Sequence, residues 1–248
     1  PPFFFTPHPG TLDAQESRGL GDVYKRQALT MSFAKIKDIE KLSEFSNQES
    51  QLIELERQKI YDADSFFQDI LDEPFRVIGK VYKKNSNEDI QEILKDIIPV
   101  NLQAKAFYKT WVSDMAGVCE IFCDTLKSES ISFCLGTERG CSRYHIDNVP
   151  MRLLVTYSGQ GTEWLPNEIA NRIAFEEGLP NEKIVRDCSK IQHINTWNIA
   201  IFRGGSSGLL HRTPDSALKN PSILMRLDHE TFWDNILQQQ QNVLTPQI

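Results

Sequence analysis

The sequence predicts an α+β protein, with a mainly helical N-terminal region followed by an antiparallel β barrel or sandwich. Two observations support this prediction. Apolar residues recur at helical intervals before Lys127, whereas short runs bounded by Gly, Pro, Asn and Ser follow it. Short strands in close succession are typical of antiparallel architectures, because parallel strands need a long crossover between them.

The chain divides into four parts on this basis. We expect residues 1–30 to be a non-native leader, because residues 22–27 resemble the translated end of an adapter used to prepare sequencing libraries. Residues 31–127 are expected to be helical, and residues 128–230 to form the β domain. Residues 231–248 should add a C-terminal helix that ends in a polar tail.

Periodic apolar residues predict three helices in the N-terminal region. The first follows the cap-type residues 46–49 and ends before Pro74, because proline disfavours helical geometry in the residue that precedes it. The second begins near residues 85–89, and the third covers residues 104–126. We interpret its aromatic stripe as core, composed of Phe107, Trp111, Met115, Val118 and Phe122.

The β domain is predicted from short apolar or alternating runs. The predicted strands are residues 130–135, 144–147, 151–157, 192–194, 198–202, 209–212 and 223–228. One helix, around residues 166–175, is expected to interrupt the series.

Composition and charge argue against several classes of function. The chain is 40% hydrophobic and 25% charged, as in ordinary globular proteins, and it has no apolar stretch near the roughly 20 residues that span a bilayer. A net charge of −7 argues against nucleic acid, whose phosphates are bound by Lys and Arg. We therefore expect a small-molecule or protein substrate, and the oligomeric state is left open.

Cysteine usage favours a reducing compartment. The five cysteines are an odd number and include no C-x-x-C pair. Cys119 and Cys123 lie four residues apart on a predicted helix and are interpreted as buried thiols. We expect a cytoplasmic protein rather than a disulfide scaffold.

The motif that points to chemistry is His145-Ile146-Asp147, together with the distant His211. Residues two apart on a strand point to the same face, so His145 and Asp147 can approach one ion. A second histidine from another strand would complete the two-histidine, one-carboxylate set that holds non-haem Fe(II) and leaves coordination positions open. These three residues are the predicted metal ligands.

The order of motifs resembles a known architecture. The pattern Cys-x-x-x-His-x-Asp-x-x-x-x-Arg-Leu-Leu-x-Thr-Tyr-x-Gly-x-Gly-Thr-Glu-Trp is followed by His211 and by Arg226 on a closing strand. Over residues 130–230 this succession resembles the double-stranded β-helix of the Fe(II)/2-oxoglutarate-dependent oxygenases. It is also similar to an uncharacterised bacterial family of unknown function.

The resemblance implies a jelly-roll or cupin-like core and a dioxygenase that uses Fe(II), 2-oxoglutarate and O2. Arg226 matches the basic residue that pairs with the far carboxylate of 2-oxoglutarate, and a planar guanidinium suits that role. Tyr157 is expected to help hold the same carboxylate. No catalytic side chain is implied beyond the metal ligands.

Three features leave alternatives open. Asp228 stands where the family pattern has Ser or Thr, and it is close enough along the strand to pair with Arg226. Arg212 and Arg152 are rival anchors for the co-substrate. Cys141, four residues before His145, would suit Zn2+, so a zinc-binding module without turnover is the second hypothesis.

Other motifs do not indicate chemistry. His193 on a predicted strand and His229 after the last strand are interpreted as structural or solvent-facing. The sequence Gly-Gly-Ser-Ser-Gly at residues 204–208 lacks the Gly-Lys-Ser/Thr ending of a phosphate loop and is interpreted as a flexible turn.

Overall fold

The computed structural model describes residues 33–71 and 73–232. Within these ranges the chain forms an α+β fold with one seven-stranded sheet and one three-stranded sheet. The predictions for residues 1–30, and for a C-terminal helix and tail after residue 232, lie outside the described residues.

The strands of the described part of the chain are given in chain order. They are β1 (Phe33–Ile36), β2 (Leu52–Leu55), β3 (Arg76–Tyr82), β4 (Ser130–Gly136), β5 (Met151–Ser158), β6 (Glu163–Trp164), β7 (Gln192–His193), β8 (Ile199–Arg203), β9 (His211–Arg212) and β10 (Ile223–His229).

The helices of the same residues are mostly short. They are α1 (Glu40–Ser43), α2 (Ala63–Gln68), α3 (Ser86–Leu94), α4 (Val100–Gln103), α5 (Ala106–Leu126), α6 (Arg172–Glu176), α7 (Asn181–Ile184) and α8 (Asp215–Lys219). Single turns of 3-10 helix cover Glu44–Asn47, Lys83–Asn85 and Cys188–Lys190.

The large sheet has the order β1-β2-β8-β5-β10-β4-β3, and the small sheet has the order β7-β6-β9. All described pairs are antiparallel except β1 with β2, which is parallel. The strands of the N-terminal region therefore form both edges of the large sheet.

This arrangement corrects the expectation that residues 31–127 are helical. Helices α3 and α5 agree with the predictions, but β1, β2 and β3 belong to the sheet. The apolar run of β2 matches a helical spacing when it is combined with the apolar residues of α2. In the structure β2 is a strand that pairs with β8, and all four of its residues are buried. The spacing of a few apolar residues does not by itself distinguish a buried strand from a helix.

One face of the large sheet packs against α5. Trp111, Met115 and Phe122 of this helix are fully buried in a cluster that includes Val155 of β5 and Met225 of β10. Burial of each large apolar side chain stabilises the fold by about 1.5–3 kcal/mol. The predicted core stripe of this helix is confirmed.

The small sheet covers part of the opposite face. Trp164 of β6 joins Leu154 and Phe202 of the large sheet in a second apolar cluster. Because side chains alternate along a strand, Leu154 and Arg152 share this covered face, whereas the neighbouring residues of β5 face α5. The candidate site lies on the covered face.

Two predicted elements differ in the structure. Residues 144–147 are not a strand, and His145 makes an isolated antiparallel bridge with His211. Helix α6 occupies only the end of the predicted segment 166–175. None of the described helices combines the length and apolar character needed to cross a membrane.

Candidate metal centre

His145, Asp147 and His211, called the ligand trio below, converge on one point. Their candidate ligand atoms all lie within 4.8 Å of one another. His211 Nε2 is 3.4 Å from Asp147 Oδ2, and His145 Nε2 is 3.7 Å from Asp147 Oδ1. The structure thus brings together the three residues that the sequence singles out, while metal binding itself stays a prediction.

Backbone bonds hold the two histidines side by side. The His145 N–H donates to the His211 carbonyl at 3.0 Å, and the reverse bond is 3.1 Å long. The two rings lie 4.3 Å apart between centroids. Strand β9 also places the His211 ring 4.7 Å from the ring of Phe202, so one side of this imidazole is shielded by an apolar group.

Gly204 allows the chain to pass close to Asp147. A Cβ atom at Gly204 would lie 2.2 Å from the carbonyl oxygens of both Asp147 and Val149, which is far inside van der Waals contact. The next residue, Gly205, has a φ of 75° and donates its N–H to the Asp147 carbonyl at 2.8 Å. Glycine is therefore required where this turn fixes the backbone of the carboxylate.

Hydrogen bonds set the orientation of both imidazoles. His145 Nδ1 lies 3.0 Å from the Arg143 carbonyl, and His211 Nδ1 lies 3.0 Å from the Leu209 carbonyl. A carbonyl oxygen only accepts, so each Nδ1 carries a proton, and in the neutral form of either ring the lone pair lies on Nε2. Metal-binding histidines are commonly oriented in this way.

The two oxygens of Asp147 have different surroundings. Oδ1 receives NH1 of Arg152 at 2.5 Å, whereas buried Oδ2 has no hydrogen-bond partner among the described residues. A buried acceptor without a partner costs about 1–3 kcal/mol. Because Oδ2 faces His211 Nε2, which also presents a lone pair, a cation between them would satisfy both atoms.

The protonation states suit metal binding. Burial acts to raise the pKa of Asp147, but the electrostatic influence of its neighbours, above all the charge of Arg152, outweighs it and holds the pKa below its ordinary value. Burial lowers the pKa of His211 to about 4. At neutral pH the carboxylate is therefore ionised and this imidazole is neutral, which are the forms that ligate metals.

A chain of alternating charges leads away from the trio. Arg152 binds Asp147 through NH1 and Asp228 through Nε, at 2.8 Å, and Arg226 Nε lies 3.1 Å from the other oxygen of Asp228. The guanidinium groups of Arg152 and Arg226 lie 5.2 and 5.1 Å from the ring centroid of Phe232. The pairing of Asp228 with Arg226 that the sequence suggested is present.

Sequence reasoning missed the role of Arg152 as the partner of Asp147. It identified this arginine only as a rival co-substrate anchor. The arginine follows the aspartate by five residues across a loop, and no periodic pattern relates two such positions. The available signal was strand alternation, which places Arg152 and Leu154 on one face of β5.

Tyr157 is not brought to the ligand trio. Its hydroxyl donates to Asp114 Oδ2 at 2.8 Å on the opposite face of the large sheet, where its ring packs against Trp111 and Trp197. Burial raises the pKa of this hydroxyl well above its ordinary value. The expected contact with a co-substrate at the trio does not agree with this position, because Tyr157 lies on the α5 side of β5.

Arg212 also points away from the trio. It follows His211 on β9, so its side chain emerges on the other face, where Nε and NH2 bind Glu163 at 2.7 and 3.1 Å and NH1 binds Asp215 at 2.7 Å. The geometry therefore leaves Arg226, rather than Arg212, near the trio. The charge of Arg226 is among those that lower the pKa of Asp147.

The remaining candidates lie outside the cluster. In the described residues, the cluster of potential metal ligands does not include Cys141, whose carbonyl accepts the Thr213 N–H at 2.8 Å. His193 Nε2 lies 3.6 Å from Glu163 Oε2, and exposed His229 contacts Thr231. These positions agree with structural or solvent-facing roles for both histidines.

Comparison with known proteins gives three results. Curated protein sequences yield no match. Among solved structures, the chain is similar to AtDAO1, the dioxygenase for auxin oxidation 1 from Arabidopsis thaliana, with 8% identity, a TM-score of 0.37, and coverage of 80% of this chain and 93% of that chain. It is also similar to the Fe(II)/α-ketoglutarate-dependent dioxygenase TqaL, with 8% identity, a TM-score of 0.41, and coverage of 77% and 87%. A family profile matches residues 36–228, and the chain therefore belongs to the family described as protein of unknown function DUF1826.

Proposed function

We propose that this protein is a non-haem Fe(II)-dependent oxygenase that uses 2-oxoglutarate and O2 to oxidise a small-molecule or protein substrate. Its core would be a double-stranded β-helix formed by the large and small sheets. The observation that carries the proposal is the convergence of the Asp147 carboxylate with the Nε2 atoms of His145 and His211. These three residues each offer a ligand atom to one point, beside the buried side chains of Asp147 and His211.

The donor set fits Fe(II). Two imidazole nitrogens and one carboxylate oxygen match the facial triad that binds non-haem iron and leaves positions for a co-substrate and O2. The orphan oxygen of Asp147 is the test of fit, because a protein without a cation would gain by giving it a donor. Bound here, Fe(II) would supply the redox chemistry that couples decarboxylation of 2-oxoglutarate to substrate oxidation.

The surrounding residues hold the ligands and limit access by water. Arg152 fixes the carboxylate of Asp147 through Oδ1 and leaves Oδ2 toward His211. Phe202 shields His211, whose side chain is 6% exposed, whereas the side chain of His145 is 23% exposed. The trio is therefore accessible on the side of His145, where we infer that substrate approaches.

The charge balance of the site favours a dianionic co-substrate. Asp147 and Asp228 are balanced by Arg152 and Arg226, so a divalent cation would add two positive charges without a protein counter-charge. The two carboxylates of 2-oxoglutarate would neutralise them. We assign Arg226 to the far carboxylate, because its side chain is 26% exposed beside the buried ion pairs.

Anaerobic titration with Fe(II) and 2-oxoglutarate tests this function. We expect a metal-to-ligand charge-transfer band in the visible spectrum, and succinate when air is admitted. Arg226→Gln should keep bound Fe(II) and weaken the band, whereas Asp147→Ala should lose both. Arg186→Gln, an exposed arginine elsewhere, is the matched control. Absence of both the band and succinate with the wild-type protein would refute the proposal.

One observation favours a second candidate, a metal-binding module without turnover. Asp228 pairs with Arg226 and would compete with a co-substrate for that guanidinium. Zn2+ is the ion we would then expect, with the same trio as ligands. Metal analysis of protein purified without added metal distinguishes the candidates, since stoichiometric zinc without 2-oxoglutarate binding favours the second.

A further inference from the structure

Glu163 joins the two segments that carry the histidines. It lies on β6 with 5% of its surface exposed, and its carboxylate accepts bonds from the Tyr144 hydroxyl and from Arg212 Nε and NH2. Tyr144 immediately precedes His145, and Arg212 immediately follows His211. One carboxylate thus binds a direct neighbour of each histidine.

Strand geometry explains why Glu163 lies behind the ligand trio. Successive side chains point to opposite faces, so the bridge that places both imidazoles on the inner face turns Tyr144 and Arg212 outward. Glu163 pairs with Arg212 across β6 and β9 and emerges on that same outer face. The guanidinium of Arg212 also lies 5.3 Å from the ring centroid of Tyr144, so the three side chains form one cluster.

The backbone alone provides few bonds at this point. Strands β6 and β9 pair through two residues each, and the segment of His145 meets β9 through a single bridge. Such a short ladder fixes orientation weakly compared with a strand of five or six residues. A two-pronged bond between guanidinium and carboxylate adds a directional link that the ladder lacks.

The charge state strengthens this link. Burial acts to raise the pKa of Glu163, but interactions with His193, Arg212 and Tyr144 outweigh it and lower the pKa to about 2. The carboxylate is therefore ionised at neutral pH. Hydrogen bonds to an ionised group are about twice as strong as those between neutral groups.

We propose that Glu163 is a positioning residue for the metal centre, which holds the two imidazoles in register by binding Tyr144 and Arg212 on the reverse face. Its carboxylate has no contact with the ligand trio and acts through these two neighbours. This inference rests on the metal site of the proposed function.

Titration with Co2+ tests the inference, because visible absorption reports both affinity and coordination geometry. Glu163→Gln keeps the shape of the side chain but removes its charge, and we expect the Co2+ affinity to fall by about 10–100-fold, the range found when groups that orient ligands are removed. The matched control is Glu54→Gln. Glu54 is another fully buried carboxylate, bonded to Asn198 and to the Asn195 N–H. It should lose thermal stability without loss of Co2+ affinity.

Tyr144→Phe provides a milder variant should Glu163→Gln fold poorly. It removes the hydrogen bond from Tyr144 to Glu163 and should weaken Co2+ binding by a smaller factor than Glu163→Gln does. In the double variant the two effects should not multiply, because both changes remove the same link. A shift in the Co2+ spectrum of either variant would show altered geometry, which a general loss of stability does not produce.

The possible outcomes distinguish a failure of the Glu163 inference from a failure of the proposed metal centre. If wild-type protein binds Co2+ through the trio and both Glu163→Gln and Tyr144→Phe bind it equally well, Glu163 is not a positioning residue and the metal centre stands. If Glu54→Gln weakens Co2+ binding as much as Glu163→Gln does, the effect is one of stability alone and the inference fails. If wild-type protein binds no Co2+, the metal centre and this inference fail together.

Discussion

Arg152 and Asp147 form a buried ion pair, with guanidinium NH1 2.5 Å from carboxylate Oδ1. The same guanidinium binds Asp228 through Nε at 2.8 Å, and about 9% of the arginine side chain is exposed. One buried cation thus pairs with two buried carboxylates, one of which is a member of the ligand trio. The orientation of Asp147 therefore depends on Arg152.

Replacing Arg152 should destabilise the metal-free protein. Arg152→Gln leaves two buried carboxylates without their shared cation, and breaking a buried pair in this way costs about 3–5 kcal/mol. Urea unfolding monitored by fluorescence gives the free energy of unfolding. Saturating Co2+ should restore part of the loss, because the metal takes over the neutralisation of Asp147.

The control for this variant is Arg186→Gln, at an exposed arginine. It should change the free energy of unfolding by less than about 0.5 kcal/mol, as surface substitutions do. A similarly small change for Arg152→Gln would mean that the buried pair does not stabilise the site.

Metal binding should stabilise the folded protein through the trio. An ion present at 100 times its dissociation constant adds about 2.7 kcal/mol when it binds the native state alone. We expect Co2+ to raise the melting temperature of the wild-type protein and EDTA to reverse the rise. Asp147→Ala and His211→Ala should show no rise, whereas His229→Ala, at an exposed histidine, should behave as wild type. A Co2+-dependent rise that persists in Asp147→Ala would place the ion elsewhere.

The sequence predicts the periodic elements of this fold and misses those that depend on pairing. Helix α5 and strands β5, β8 and β10 are confirmed, because their apolar residues repeat regularly over enough positions. Strand β2 was assigned to a helix, since its three apolar residues fit either period. Its place beside β8 depends on residues almost 150 positions away.

The sequence predicts the candidate metal ligands but not the residues that orient them. The His-x-Asp triplet and a distant His carry their own chemical signature. The position of Tyr157 was not readable, because both faces of β5 are buried and alternation does not say which face holds the trio. Glu163 was part of a quoted pattern, yet its role depends on two neighbours from separate segments.

Tyr157→Phe tests whether this hydroxyl acts in the hydrogen bond to Asp114 rather than at the co-substrate site. The variant removes one hydrogen bond to Asp114, which still binds Arg57 NH1 at 2.6 Å, so we expect a loss of about 1 kcal/mol in the free energy of unfolding. The affinity for 2-oxoglutarate, measured by the charge-transfer band with Fe(II), should be unchanged. A clear loss of that affinity at unchanged stability would contradict this prediction and indicate that Tyr157 contacts the co-substrate.

Glu163 should contribute stability that disappears in acid. Its pKa lies at about 2 in the folded protein against 4.5 for the ordinary carboxyl, so the folded state binds a proton less readily than the unfolded state. The contribution is present in full above the unfolded pKa of 4.5 and is lost as pH falls toward 2. A shift of this size corresponds to about 3 kcal/mol at neutral pH.

The free energy of unfolding of metal-free wild type and Glu163→Gln, measured by urea from pH 7 downward, isolates this contribution. The difference between the two proteins should be near 3 kcal/mol at neutral pH and should shrink steadily below pH 4.5, because the protonated wild-type side chain then resembles the neutral glutamine. Glu168→Gln, at an exposed carboxyl five residues along the chain, should show no such pH-dependent difference. A difference for Glu163→Gln that stays constant down to pH 3 would mean that charge is not what Tyr144 and Arg212 recognise in Glu163.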